Sequence, residues 1–298
     1  MQYKDTFSSY HPIINFLFFG LVLVFSMCFM HPVCLLISLG CGLAYALRLN
    51  GRKGMRFSLV YMLPMFLLAV FINPAFNHEG ATILRYLPSG NPLTLESILY
   101  GIAAAVMLVS VLEWFSCYTA VMTSDKFVYL FGRIIPALSL VLSMSLRFVP
   151  KFAAQMKVVR DAQRCVGRDT DNGTVFQRIR NGITIFSIMV TWALENAIET
   201  ADSMRSRGYG LPGRSAFSIY HFDGRDRLVL LWLLFCGAYI VSGWIAGAFR
   251  WYYYPVISGG PVTVFAATFP LVYLALCLTP LIIDCAEDRV WKRLRSEI

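Results

Sequence analysis

Six stretches of the chain are apolar over almost their whole length: Ile13–Met30, Pro32–Leu49, Phe57–Asn73, Leu93–Met122, Leu228–Phe249 and Val262–Ile283. A helix rises about 1.5 Å per residue, so crossing about 30 Å of hydrocarbon takes about 20 mostly apolar residues, within a range of about 17 to 25. Each stretch therefore predicts a membrane-crossing helix. Only His31 and Pro32 separate the first two, and proline is poorly tolerated inside a helix, so these two read as a tight hairpin.

Two further apolar runs, Ile134–Leu146 and Ile183–Leu194, extend for about a dozen residues, a length that suits a buried or interfacial helix better than a span. Arg133 and Arg147 bracket the first, and charges there are costly in hydrocarbon. Beyond each run the pattern turns amphipathic. Val149, Phe152, Met156 and Val159 recur at three- and four-residue steps, with Arg147, Lys151, Gln155, Arg160 and Arg164 largely on another face. Leu194, Ala197, Ala201 and Met204 likewise oppose Glu195, Glu199 and Asp202. Three regions follow: 1–122 with four spans, 123–227 with two long helices that begin oily and end charged, and 228–298 with two spans and a tail. The fold class expected is all-α: a polytopic membrane protein with about six transmembrane helices plus long cytoplasmic or interfacial helices.

Composition supports the bilayer as solvent. Of 298 residues 57% are hydrophobic and only 14% charged, against about a quarter charged in soluble domains. The net charge of +9 does not signal nucleic acid, because the cations lie between apolar runs. It signals orientation instead. Taking the N-terminus as inside, every lysine and arginine except Arg85 and Arg250 falls in a cytoplasmic part of the chain, densest between Ser124 and Arg227, so both termini are expected in the cytoplasm. No cleavable leader is expected, since the polar stretch before the first apolar run holds only Lys4 as a cation and no small-residue cleavage site follows.

The eight cysteines form no C-x-x-C pair and lie mainly in apolar stretches, so they read as packing residues. The four histidines, His11, His31, His78 and His221, are scattered, and no catalytic or metal-ligating set is expected. Glu113 is a carboxylate inside the fourth run. It reads either as structurally paired, near the cytoplasmic end where water or an arginine is in reach, or as functional.

The two long helices stop alike. Asp161-Ala-Gln-Arg-Cys-Val-Gly167 and Asp202-Ser-Met-Arg-Ser-Arg-Gly208 share aspartate, then arginine, then glycine at three-residue steps, 41 residues apart. Glycine suits a helix stop, and arginine suits the negative end of the helix dipole. One copy reads as a well-capped helix. Two copies read as two plugs for two similar sockets, with arginine chosen for its directed hydrogen bonds to carboxylates and carbonyls.

These residues resemble the transmembrane T component of energy-coupling factor (ECF) transporters, the family that includes the cobalt-transport permease CbiQ. The similarity covers most of the chain and is densest in Thr123–Phe152, in Asp-Ala-Gln-Arg-Cys-Val-Gly and in Ala201–Gly210, with a further match in Asn73–Gly101. The resemblance implies a scaffold whose two coupling helices, each ending in an Ala-Arg-Gly-like signature, dock into two ATP-binding-cassette ATPases, while a small membrane S component binds a vitamin or metal ion. Ser206-Arg207-Gly208 matches the second signature. Cys165-Val166-Gly167 has valine where the first signature has arginine, and Arg164, aligned with Arg205 in the repeat, and Arg168 are the candidates to carry that charge. The docking set implied is Arg164, Gly167, Arg168, Arg205, Ser206, Arg207 and Gly208. Phe148, Phe152, Met156, Ile188, Met189 and Trp192 are candidates for the S-component surface, with ordinary internal packing as the competing reading.

No G-x-x-x-x-G-K-[ST] loop occurs, so ATP and Mg are expected on the partner ATPases and no cofactor on this chain. The plasma membrane is the expected location. The alternatives are a membrane-embedded enzyme such as a lipid-modifying transferase and a stand-alone secondary transporter, which usually carries broken helices in matched halves.

Overall fold

Every long apolar run folds as a helix, and the starts carry local signals for it. In α1 (Pro12–Cys28) proline occupies the first position, and His11 Nδ1 accepts the Ile13 N–H at 3.3 Å. In α2 (Pro32–Phe57) proline is again first, after a connection of only Phe29–His31, which is the tight hairpin expected. A π-helical turn, Ser58–Met62, leads into α3 (Leu63–Phe76). Then come α4 (Leu95–Val121), capped by the Thr94 hydroxyl on the Ser97 N–H at 3.3 Å, α5 (Ser124–Gly132), α6 (Pro136–Cys165) and α7 (Val175–Ser206). In α8 (Gly224–Ile245) Asp223 and Asp226 form a reciprocal cap, and α9 (Val264–Ser296) closes the chain. Two short antiparallel hairpins, β1 (Ile83–Tyr86) with β2 (Pro92–Thr94) and β3 (Trp251–Tyr252) with β4 (Ser258–Gly259), lie in the connections between spans. The computed structural model describes residues 5–86, 92–132, 136–168, 170–171, 173–209, 220–259 and 263–296.

Among the described residues five segments are long and apolar enough to cross a membrane: Pro32–Arg52, Gly54–Phe76, Leu95–Val121, Gly224–Ile245 and Val264–Arg295. The first run, Ile13–Met30, forms the 17-residue α1, at the short end of the spanning range. The helical path breaks at Gly51, which separates the second and third runs into two spans.

The chain divides into two compact units: Met1–Thr123 with Tyr220–Ile298, and Ser124–Ile219. In the first, a polar chain runs through the apolar interior. Ser26 bonds Ser38 at 2.7 Å and Tyr273 at 2.9 Å, and Trp114 Nε1 donates to Ser38 Oγ at 3.1 Å, so one connected set links α1, α2, α4 and α9. Such bonds hold helices together where lipid offers no polar partner. Around it pack Phe7, Phe18, Phe19, Tyr45 and Trp114. Close approach uses a small residue at Gly243, where a Cβ would lie 2.3 Å from the Phe269 ring. The outward faces are apolar instead of polar: Leu36, Leu68, Phe71, Leu231, Ile245 and Leu271 are all exposed. That inversion fits a lipid solvent.

The N-terminal segment is tied at several points. Asp284 Oδ1 accepts the Thr6 and Phe7 N–H groups at 3.0 and 3.1 Å, the Tyr45 hydroxyl donates to Asp5 at 3.2 Å, and Asp226 accepts the His11 N–H at 3.4 Å. Arg48 pairs with Asp288 nearby. Cys34, Cys41, Cys117, Cys236 and Cys277 are buried packing residues, as expected. Cys28, Cys165 and Cys285 are exposed, because two of them end helices and the third lies on an outward face of α9. Glu113 is 1% exposed and neither carboxylate oxygen has a hydrogen-bond partner among the described residues, so no arginine among those residues pairs with it.

Candidate docking ends of a helical hairpin

The second unit is dominated by α6, of 30 residues, and α7, of 32. Neither is among the segments long and apolar enough to span. Both run on past the apolar cores expected from the sequence and keep the oily start and charged end. Their connection is fastened to both helices. Arg160 grips Asp171 through both carboxylate oxygens at 2.8 Å, Arg178 Nε donates to the Thr170 carbonyl at 2.7 Å, and Thr174 with Gln177 forms a capping box.

Further along, Phe148 stacks on Phe152 with ring centroids 5.7 Å apart, and Phe152 meets Trp192 edge-on at 5.5 Å. Lys151 Nζ donates to Asn196 Oδ1 at 2.6 Å and lies over the Trp192 ring at 5.5 Å. These pairings make an antiparallel hairpin. The end of α6 is therefore held near the start of α7, and the end of α7 lies at the far end of a helix about 48 Å long for its 32 residues.

The two ends share one backbone geometry. Gly167 and Gly208 both have φ of 76°, a conformation that only glycine adopts without strain. The Gly167 N–H bonds the Arg164 carbonyl at 3.0 Å and the Arg168 N–H bonds the Gln163 carbonyl at 2.9 Å; at the second end Gly208 bonds Arg205 and Tyr209 bonds Met204, both at 3.1 Å. This is the Schellman arrangement, twice, and it satisfies two of the carbonyls that a helix end leaves open. It fixes the residue correspondence: Arg164 with Arg205, Cys165 with Ser206, Val166 with Arg207, Arg168 with Tyr209. All eight are exposed. Neither Arg205 nor Arg207 has an ion-pair partner among the described residues.

Of the residues expected at a second surface, Phe148, Phe152 and Trp192 pack on one another, Met189 is buried and Ile188 half-buried, while Met156 is exposed. A further feature escaped the sequence reading. Phe176, Ile179, Ile183, Phe186, Val190, Leu194 and Ile198 follow at steps of three and four along α7, and every one is exposed. Ile185 and Met189, on the opposite side of the helix, are buried. The signal was the three-and-four spacing itself. It was hidden because one apolar run supplies both faces.

A polytopic, all-helical membrane protein with a hairpin of two long amphipathic helices, ending in matched cationic tips, is the class that fold and site define. The chain belongs to the CbiQ family, described as cobalt transport protein, whose profile matches residues 9–219 and so takes in both helix ends. It is similar to the energy-coupling factor transporter transmembrane protein EcfT of Bacillus selenitireducens, with 27% identity over 228 residues, 72% of this chain and 83% of the relative. Shorter matches reach 33% identity: EcfT 1 of Listeria monocytogenes over 30% of this chain and 34% of the relative, and EcfT of Streptococcus thermophilus over 34% and 38%.

Proposed function

We propose that this chain is the membrane-embedded coupling component of an ECF-type importer. In this reading the end of α6, through Arg164, Gly167 and Arg168, and the end of α7, through Arg205, Ser206, Arg207 and Gly208, seat in two ATP-binding-cassette ATPases on the cytoplasmic side of the plasma membrane. ATP and Mg are bound and turned over there and not on this chain. A small S component carries the vitamin or metal ion and rests on apolar surface that includes the exposed stripe of α7. ATP-driven closure of the ATPases displaces the two tips; packed helices move as near-rigid bodies, so the displacement reaches the S component and reorients it.

The observation that carries this reading is the pair of helix ends with the same Schellman backbone and exposed arginines, held at opposite ends of a hairpin whose longer helix extends about 48 Å. Two sockets on two neighbouring subunits are the natural receiver for two such ends. The test is co-purification in mild detergent. Wild-type chain should retain both ATPases, and the double change Arg164→Glu with Arg207→Glu should release them and abolish uptake. Unchanged co-purification and uptake by the double variant would sink the docking claim.

A further inference from the structure

The two tips have one backbone and two chemistries. At the matched positions the α7 tip carries Ser206 and Arg207, a hydroxyl and a guanidinium, while the α6 tip carries Cys165 and Val166, a thiol and a branched hydrocarbon. Val166 is 69% exposed, and Cys165 beside it is exposed too. Cysteine behaves as a small hydrophobe, so the α6 tip presents a compact apolar point. Cations flank it: Arg164 two residues before and Arg168 two residues after. At the α7 tip Arg205 keeps the cation of Arg164, but the other two positions change. The guanidinium of Arg207 occupies the position of Val166, and Tyr209 takes the place of Arg168.

Because the hydrogen bonds at both ends match within a few tenths of an ångström, this difference is not absorbed by the backbone. It must be met by the partner. A socket that buries a guanidinium has to supply acceptors for its donors, and a valine placed there leaves those acceptors unpaired. A socket that buries valine has apolar walls, and a guanidinium placed there is desolvated without compensation.

Resting on the docking reading above, we infer that the two ATPase sockets differ in kind: the one receiving α6 has an apolar floor for Cys165 and Val166 with acidic groups on its rim for Arg164 and Arg168, and the one receiving α7 has a polar, anionic floor for Arg207. The two ends are therefore not interchangeable. A symmetric pair of identical subunits offers the same socket twice, so the receiving surfaces come from two different subunits.

The assignment is tested on the full complex with its ATPases. Val166→Arg gives the α6 tip the residue of the α7 tip. On the present assignment it weakens ATPase retention by about tenfold or more; retention that is unchanged or tighter overturns it, since like sockets would accept the second copy's arginine. Arg207→Val should weaken retention comparably. Val166 is exposed, so neither folding nor the Schellman backbone is at stake, and circular dichroism with gel filtration checks that. A photoreactive residue placed at Arg168 in one preparation and Tyr209 in another should capture two different ATPase polypeptides. Capture of the same polypeptide from both positions also overturns the assignment. Wild-type chain that retains no ATPase refutes the docking reading itself, and this inference with it.

Discussion

Gly167 and Gly208 set the directions of the two tips, and their left-handed conformation excludes a side chain without strain. An alanine there costs about 1 kcal/mol or more. Gly208→Ala should raise hydrogen exchange across Met204–Tyr209 about fivefold, the equivalent of 1 kcal/mol, while the rest of α7 exchanges as before. Equal exchange in variant and wild type would remove the argument for a fixed tip. These glycines were legible because aspartate, arginine and glycine recur at fixed steps. Asp284 was not legible: its partners Thr6 and Phe7 lie 278 and 277 residues away in sequence, and no local pattern encodes such a bond. Asp284→Ala leaves the Thr6 and Phe7 N–H groups without their acceptor, at about 1–3 kcal/mol for a buried donor. The expected outcome is a lower Tm in detergent and faster proteolysis ahead of Pro12; unaltered cleavage there would mean that other contacts hold the segment.

At the scale of elements, α7 separates two kinds of apolar residue that look alike in sequence. Phe186 is 65% exposed and Met189, three positions on, is 7% exposed. A glutamate at each should behave differently. Met189→Glu buries a charge in the covered face of α7 and should destabilise the fold, seen as lost helicity and a lower Tm. Phe186→Glu should leave both unchanged and reduce retention of the S component. If Phe186→Glu unfolds the protein as Met189→Glu does, the stripe is internal packing and not a partner surface. The existence of both long helices was readable from their amphipathic steps, and the spans from their length. Which apolar face is covered was not, because periodicity reports a face and not its neighbour. The short α5 and the two β-hairpins escaped for a related reason: they fill connections where neither hydrophobic period runs long enough to register.

For the whole molecule the sequence speaks most clearly about sidedness, and the three exposed cysteines supply a test of it without engineering. Cys165 lies among Arg160, Arg164 and Arg168, and Cys285 precedes the basic tail of Arg289, Lys292, Arg293 and Arg295, so the placement of cations predicts the cytoplasmic side for both. Cys28 ends α1 beside the His31–Pro32 reversal, one span away from the N-terminus, so the same orientation predicts the opposite side for it. Thiolate formation needs water, and five of the eight thiols are buried, so only these three compete for reagent. A membrane-impermeant maleimide applied to right-side-out vesicles should leave Cys165 and Cys285 unmodified and reach Cys28. In inside-out vesicles Cys165 and Cys285 should be labelled and Cys28 spared, with peptide mass spectrometry assigning each site. Labelling of Cys165 from the outer side would place the cationic tips away from ATP. That result would refute the orientation and, with it, any coupling to cytoplasmic ATPases, whatever the tips bind in detergent.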